Sequence, residues 1–134
     1  MKTNLDSIIL TRQELKIMKV VWELGQATVR DVWEVLNQKK PTAYTTILTI
    51  MGILEDKGAL SHTRAGRAYV YRPMLTRQQA TRNHVRDVVV RFFDGKPEKL
   101  IESIIKNDFK GSEEPGSLRN LLEMQKSNFL NAQG

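Results

Sequence analysis

The first third of the chain spaces its apolar residues with the period of amphipathic helices. Residues 11–14 (TRQE) have the form of a capping box, in which the threonine hydroxyl and the glutamate carboxylate each accept a hydrogen bond from a backbone N–H. Leu15, Met18 and Trp22 then fall on one stripe, and Gly25 is placed to end the helix. This pattern predicts a first helix with one buried side.

Two further helices are predicted before residue 58. Thr28 caps the second helix, which ends before Pro41 because the residue preceding a proline disfavours helix. The third helix is predicted to begin near Thr42 and to run to Lys57, with Gly58 ending it. The apolar positions of the two helices are Val29, Val32, Trp33 and Leu36, followed by Ile47, Ile50, Met51 and Leu54.

A β-hairpin is predicted after the third helix. β-Branched and aromatic residues at 60–64 and 67–73 flank a turn at Ala65-Gly66, and Arg64 and Arg67 lie at the tip. Tyr69 and Tyr71 are expected to pack in the hairpin, since one of each alternating pair faces inward. Three helices and a hairpin follow the order of a winged helix-turn-helix domain, which we expect over residues 1–75.

Residues 76–134 are expected to form a helical dimerisation region. Residues 76–79 (TRQQ) open one helix, Pro97 suits the first turn of another, and a last helix carries residues 118–129. Such short helices must pack their apolar sides on something larger, and a second copy of the chain is the economical partner. The expected dimerisation residues are Val85, Val88, Val89, Phe92, Leu100, Ile101, Ile104, Ile105, Leu118, Leu121 and Leu122. The predicted fold is therefore mainly α, with one small β-hairpin.

The polar side of the third helix consists mostly of small hydroxyl residues. Threonine is a poor helix former, so helix stability alone would hardly select four of them. Small hydroxyl side chains allow close approach to DNA, bond phosphates or base edges, and bring a methyl group to thymine. The helix after the turn of a helix-turn-helix lies in the major groove, so double-stranded DNA is the expected partner. The expected DNA-binding residues are Lys39, Lys40, Thr42, Tyr44, Thr45, Thr46, Thr49, Arg64 and Arg67.

The net positive charge of the chain favours a polyanionic partner. The 134 residues carry a net charge of +6, of which +4 falls in residues 1–75 and +2 in residues 76–134. No apolar stretch approaches the ~20 residues of a membrane-spanning helix. No secretory signal is expected, because no positively charged and then apolar segment precedes a small-residue cleavage site. We therefore expect a cytoplasmic protein that does not contact a membrane.

Neither catalysis nor metal binding is predicted. The absence of cysteine removes thiol catalysis and thiolate metal sites. His62 and His84, the two histidines, lie on separate predicted elements and do not make a ligand cluster. Acidic and hydroxyl residues are scattered without a histidine base or a glycine-rich phosphate loop. We expect no enzyme, cofactor or metal site.

Two runs of sequence match a known family. The first contains residues 10–18 (LTRQELKIM), Val21-Trp22 and residues 28–32 (TVRDV), and the second contains residues 43–51 (AYTTILTIM), Leu54 and Lys57-Gly58. Together they resemble the penicillinase-repressor family of bacterial transcription factors, which includes the methicillin-resistance and copper-transport repressors. The resemblance covers residues 8–73 well and the helical tail by architecture only. It implies a homodimeric repressor whose winged domains each read half of a palindromic operator, with Thr45, Thr46 and Thr49 on the recognition helix and both hairpin arginines on the wing.

The chain departs from this family at places that bear on function. Gly52 and Ile53 stand where members commonly carry a polar and a basic residue, and an isoleucine cannot bond a phosphate or a guanine. In antibiotic-responsive members a sensor-linked protease cuts the tail near an Asn-Phe pair, whose nearest match is Asn107-Asp108-Phe109. The cysteine-rich metal site of copper-responsive members is excluded here. Release by proteolysis or by another signal therefore stays open.

An alternative to DNA binding is a winged-helix module that docks another protein. Gly52 and Ile53 on an otherwise polar helix face favour this alternative slightly. Binding that is absent or insensitive to salt would indicate the interaction module, because contacts to DNA phosphates release counterions.

Overall fold

The computed structural model describes residues 4–107. The predicted combination of helices and one two-stranded hairpin is confirmed. No helix in this part of the chain is long and apolar enough to cross a membrane. After a single 3-10 turn at Leu5–Ser7, the elements are α1 (Arg12–Leu24), α2 (Val29–Lys39), α3 (Tyr44–Asp56), β1 (Leu60–Ala65), β2 (Ala68–Pro73), α4 (Arg77–Phe92) and α5 (Pro97–Lys106). Asp108, Phe109, Leu118, Leu121, Leu122 and the last predicted helix lie outside the described residues.

Side-chain caps fix the first turns of α1, α2 and α4. The capping box of α1 is confirmed, because the Thr11 N–H donates to Glu14 Oε1 at 2.8 Å and the Glu14 N–H donates to Thr11 Oγ1 at 3.2 Å. Thr76 and Gln79 make the same pair of bonds before α4. Thr28 caps α2 as predicted, through a reciprocal box that uses an aspartate, Asp31. At its other end α1 stops at Gly25, whose φ of 86° is readily adopted by glycine.

The recognition-helix candidate α3 begins two residues later than predicted. Its first residue is Tyr44, and Thr42 belongs to the turn before it. The Thr42 N–H donates to Asn37 Oδ1 at 3.0 Å, and the Thr42 hydroxyl donates to the Lys40 carbonyl at 2.8 Å. In addition, Trp33 Nε1 donates to the Thr42 carbonyl at 2.7 Å. These bonds replace the helical ones, so α3 begins two residues after the predicted start near Thr42.

The hairpin turn lies one residue later than predicted. Ala65 pairs with Ala68, so the turn consists of Gly66 and Arg67, and Gly66 has a φ of 63°. The strands are antiparallel and join the helices through a bridge in which Ala27 and Tyr71 exchange backbone hydrogen bonds of 3.0 and 2.8 Å. This bridge ties the hairpin to the segment between α1 and α2.

One hydrophobic core joins the three helices and the hairpin. Trp22 closes one side of it, with its Nε1 donating to the Leu75 carbonyl at 2.8 Å. The N-terminal segment is held to α4 by Asn83 Nδ2, which donates to two carbonyls, and by His84 Nε2, which accepts from the Leu10 N–H at 2.9 Å. The largest fully buried side chains are Ile17, Met18, Val21, Val32, Met51, Leu54, Leu60 and Leu75.

The chain divides into two compact units, one ending at Val85 and the other beginning at Arg86. In the second unit Val89 is buried, whereas Val90, Phe92 and Ile101 are 59%, 69% and 45% exposed. Among the described residues predicted for dimerisation, Val85 is also exposed, and Val88, Leu100, Ile104 and Ile105 are half-buried. Helix α5 begins at Pro97 as predicted and contains no buried residue.

Candidate nucleic-acid interface

The side of α3 that faces away from the core carries the predicted threonines. Thr45, Thr46 and Thr49 are exposed, whereas the apolar stripe of the helix is buried. A Cβ added at Gly52 would meet no atom within 4 Å, so the position next to these threonines is open. The result is a surface of small hydroxyl groups with room for another molecule to approach the helix backbone.

The first turn of α3 is suited to anions. Its N-cap residue, Ala43, makes no side-chain cap bond. The first N–H groups of an uncapped helix carry partial positive charge and bind phosphate readily. Tyr44 begins the helix with its side chain 44% exposed, and its ring meets the Trp33 indole edge-on at 6.1 Å between centroids. Trp33 therefore positions both the turn and the tyrosine at its end.

A groove of about 1190 Å³ runs beside the start of α3, between α1, α2 and the residues that follow β2. Its lining includes the apolar residues Val20 and Ile47, together with Thr42 and Thr46. Glu23 is the one carboxylate among its lining residues, all of which belong to the described chain. The basic residues around it are Lys16, Lys19, Lys39, Lys40 and Arg77, and all five are exposed. The groove is thus strongly electropositive.

Lys39 and Lys40 were predicted from the sequence, whereas Lys16, Lys19 and Arg77 were not. The missed cations belong to α1 and α4, which are far apart in the chain and meet only in the folded protein. A weak signal was present in the spacing of Lys16 and Lys19, which are three residues apart and therefore share one side of α1. The guanidinium of Arg77 lies 5.9 Å from the centre of the Trp22 ring.

The wing presents two exposed arginines. Arg64 Nε donates to the Gly66 carbonyl at 3.1 Å, which orders the tip, and Arg67 lies in the turn. Of the two wing tyrosines, Tyr71 is buried and Tyr69 is 49% exposed. Burial raises the pKa of the Tyr71 hydroxyl above its ordinary value. Tyr69 and Tyr71 are two residues apart and therefore lie on the same side of β2, where both rings contact His62. The expectation that both pack in the hairpin holds, but only Tyr71 is buried, whereas Tyr69, nearer the tip, stays exposed.

His62 supports the wing from the side. Its ring stacks on Tyr69 at 4.4 Å between centroids, and its Nδ1 contacts the Glu55 carboxylate at the end of α3. His84, as described above, holds the N-terminal segment. Within residues 4–107 no three histidine, aspartate or glutamate side chains lie close enough together to hold a metal ion.

An ion pair between a half-buried lysine and a buried glutamate fixes the C-terminal end of α3. Lys57 Nζ lies 2.7 Å from Glu14 Oε1 and also donates to the Ile9 carbonyl at 3.2 Å. Burial acts to raise the pKa of Glu14, but the hydrogen bonds from Lys57 and from Thr11, with the lysine charge, outweigh it and lower the pKa. The pair connects the end of α3 to the start of α1 and so helps to set the position of the threonine surface.

Comparison with known proteins decides the family. The family model described as penicillinase repressor matches residues 10–124. The chain belongs to the penicillinase repressor family. It is 29% identical over 114 residues to the penicillinase repressor of Bacillus licheniformis, covering 85% of this chain and 89% of that protein. It is 27% identical over 111 residues to the transcriptional regulator BlaI of Mycobacterium tuberculosis, covering 81% of this chain and 79% of that protein.

Comparison with solved structures indicates the same family. The solution structure of the DNA-binding domain of the repressor BlaI is 29% identical and superposes with a TM-score of 0.50, covering 58% of this chain and 93% of that domain. The family consists of transcriptional repressors and not of enzymes, so this penicillinase-repressor family member is a DNA-binding transcriptional repressor. The predictions of a winged helix-turn-helix fold and of a non-enzymatic protein are confirmed.

Proposed function

We propose that the protein represses transcription as a homodimer that binds a palindromic operator, with α3 of each protomer in the major groove of one half-site. The observation that carries this proposal is the outward side of α3. Thr45, Thr49 and the open Gly52 form a small, uncharged surface in the domain that also carries the electropositive groove and the wing arginines. The major groove is wide enough for one helix, and phosphates border it on both sides.

The proposed contacts divide into base reading and backbone positioning. Thr45, Thr46 and Thr49 read base edges through their hydroxyl and methyl groups. Thr42 holds the turn, since its hydroxyl is already bonded to the Lys40 carbonyl. Phosphates are bound by the first turn of α3, together with Tyr44. They are also bound by two sets of cations. Lys39, Lys40, Arg64 and Arg67 belong to the turn and the wing, and Lys16, Lys19 and Arg77 line the electropositive groove.

Dimerisation is assigned to residues 76–134. The exposed apolar side chains Val90, Phe92 and Ile101 lie within 12 residues of one another, as expected of a surface that packs on a second copy. A two-fold dimer presents two α3 helices to DNA, and its operator is then expected to be a palindrome. Sedimentation of the full chain tests this assignment and should give about twice 15.4 kDa.

Salt-dependent DNA binding tests the proposed division of contacts. With DNA from the promoter of its own operon, Arg67→Ala should reduce the slope of log K against log salt concentration by roughly 0.9, the contribution of one phosphate. Thr49→Ala should weaken sequence discrimination and leave the slope nearly unchanged. Lys106→Ala serves as the control, because this lysine lies on α5 and pairs with Glu102. Equal slope changes in the Arg67 and Thr49 variants would contradict the division, and salt-insensitive binding would favour a protein-docking module.

For release from the operator, we propose cleavage by a sensor-linked protease in the region Asn107-Asp108-Phe109. Asn107 is exposed and follows α5 directly, with its Nδ2 donating to the Ser103 carbonyl at 2.8 Å. Cleavage there would remove the predicted last helix from the dimerisation region. The expected product in induced cells is a fragment ending near residue 107, which mass spectrometry would identify. An intact chain after induction would indicate a different signal.

A further inference from the structure

Ile53 is an apolar side chain on the exposed part of α3. It is 43% exposed, whereas Met51 and Leu54 beside it are fully buried. Its position is one turn beyond Thr49 and two turns beyond Thr46, so these three side chains share one flank of the helix. The core is therefore complete without Ile53, and its side chain extends the proposed base-reading surface.

The chemistry of the major groove limits what such a side chain can contact. Base edges there present hydrogen-bond donors, acceptors and one kind of apolar group, the C5-methyl of thymine. An isoleucine has no hydrogen-bonding group, so within the groove only the thymine methyl is complementary to it. Gly52 next to it leaves open space, which brings the helix backbone and hence the following side chain close to the base pairs.

We propose that Ile53 determines operator specificity by packing on the methyl group of a thymine in each half-site. This inference rests on the proposed function, in which α3 lies in the major groove. The contact between Ile53 and the methyl group makes the protein discriminate thymine from cytosine and from uracil at one position, because only thymine carries the C5-methyl.

Leu48 is the other exposed aliphatic residue in the middle of α3, and its surroundings are less suitable. It is 47% exposed and shares the opposite flank with Tyr44 and Glu55. The Glu55 carboxylate contacts His62 at the base of the wing. The flank of Ile53 also ends in a carboxylate, since the exposed Asp56 lies one turn beyond it. Charge therefore does not separate the two positions, and Ile53 is favoured because it shares its flank with the proposed base-reading residues Thr46 and Thr49.

Replacing thymine by deoxyuridine, one position at a time, tests the proposal because it removes only the methyl group. The wild-type protein should lose about fourfold in affinity at one position of each half-site, the ratio expected from exposing one methyl-sized apolar group. Ile53→Ala should bind the thymine and uracil duplexes equally at that position. Ile53→Val, which removes one methylene, should retain part of the ratio. Leu24→Ala is the matched control, since Leu24 is a 49% exposed aliphatic residue on α1, and it should keep the full ratio.

The outcomes separate this proposal from the function on which it rests. If Ile53→Ala weakens the thymine and uracil duplexes by the same factor, the methyl contact is overturned while salt-dependent operator binding still supports the repressor function. If the sensitive position responds to Thr49→Ser instead, the methyl is read by threonine, and the role of Ile53 is overturned. If the folded wild-type dimer binds no duplex in a salt-dependent manner, the proposed function fails, and this inference fails with it.

Discussion

The two compact units of the chain bury their apolar side chains to different extents. The unit that ends at Val85 contains the fully buried core, three capped helix starts and the Glu14–Lys57 ion pair. In the described part of the other unit, α5 has no buried residue and Phe92 is 69% exposed. The first unit thus has the internal packing of a rigid scaffold for the α3 surface. The second has apolar surface whose burial is expected to come from a second copy.

Matched truncations in the two units should give the largest contrast. Met51→Ala removes a fully buried side chain and should lower the free energy of unfolding by about 2–5 kcal/mol, since it leaves a cavity under α3. Urea denaturation measures this loss. A decrease below about 1 kcal/mol would mean that the core under α3 collapses around the smaller side chain.

Ile101→Ala is the matched change in the second unit. Because Ile101 is 45% exposed, its truncation should leave urea unfolding of the first unit nearly unchanged. It should instead shift the monomer–dimer equilibrium toward monomer, as measured by sedimentation equilibrium. If Ile101→Ala alters neither quantity, the surface around this residue does not belong to the dimer interface.

The ion pair of the first unit should make its stability depend on pH. The folded-state pKa of Glu14 lies below the ordinary value of 4.5, so the stabilisation is fully present above that value and is lost as pH falls through the folded pKa. Glu14→Gln should lower the free energy of unfolding near neutral pH by about 1–3 kcal/mol, because it removes a charged acceptor from Lys57.

The difference between wild type and Glu14→Gln should shrink on acidification below pH 4.5. Glu34→Gln is the control, because Glu34 pairs with Arg30 on an exposed helix face and such pairs contribute little. A constant difference between wild type and Glu14→Gln across the acid range would assign the loss to packing and not to the carboxylate charge.

Removing a helix cap of the first unit should have a smaller effect on stability. Thr28→Ala removes the hydroxyl that accepts from the Asp31 N–H at 3.1 Å and should lower stability by about 1 kcal/mol. Thr28→Ser keeps the hydroxyl and should restore most of the loss in thermal unfolding. If the serine variant is as unstable as the alanine variant, the methyl group and not the cap bond accounts for the loss.

Local signals in the sequence located most of the first unit. Capping residues and apolar periodicity identified α1, α2 and the start of α4, since both depend on residues three or four apart. The start of α3 lies two residues beyond its predicted position because Thr42 is held by the Trp33 indole and the Asn37 amide, which are contacts of the folded protein. These bonds span nine and five residues, beyond the range of a helix-start pattern.

The candidate site was predicted less completely than the fold. The threonine surface of α3 was visible because threonine is unusual in a helix. Lys16, Lys19 and Arg77 were not visible as a group, because α1 and α4 meet only through tertiary packing. Likewise, a pattern of neighbouring residues does not reveal that Lys57 bonds a glutamate 43 positions earlier.

The smallest expected effect concerns the balance between stability and binding at α3. Thr45→Ala replaces a poor helix former on an exposed position and should raise the free energy of unfolding by up to about 0.7 kcal/mol. The same change should weaken operator binding, because Thr45 belongs to the proposed base-reading surface. Thermal unfolding and fluorescence polarisation with operator DNA measure the two effects on one sample.

Thr81→Ala on α4 is the control for these opposite effects on stability and on operator binding. Thr81 is exposed, and its hydroxyl donates to the Arg77 carbonyl within the same helix. Its replacement should give a comparable gain in stability without a change in operator affinity. If Thr45→Ala gains stability and keeps full affinity, the threonines of α3 are not retained for DNA. The residues that favour binding at the expense of stability would then lie elsewhere in the first unit.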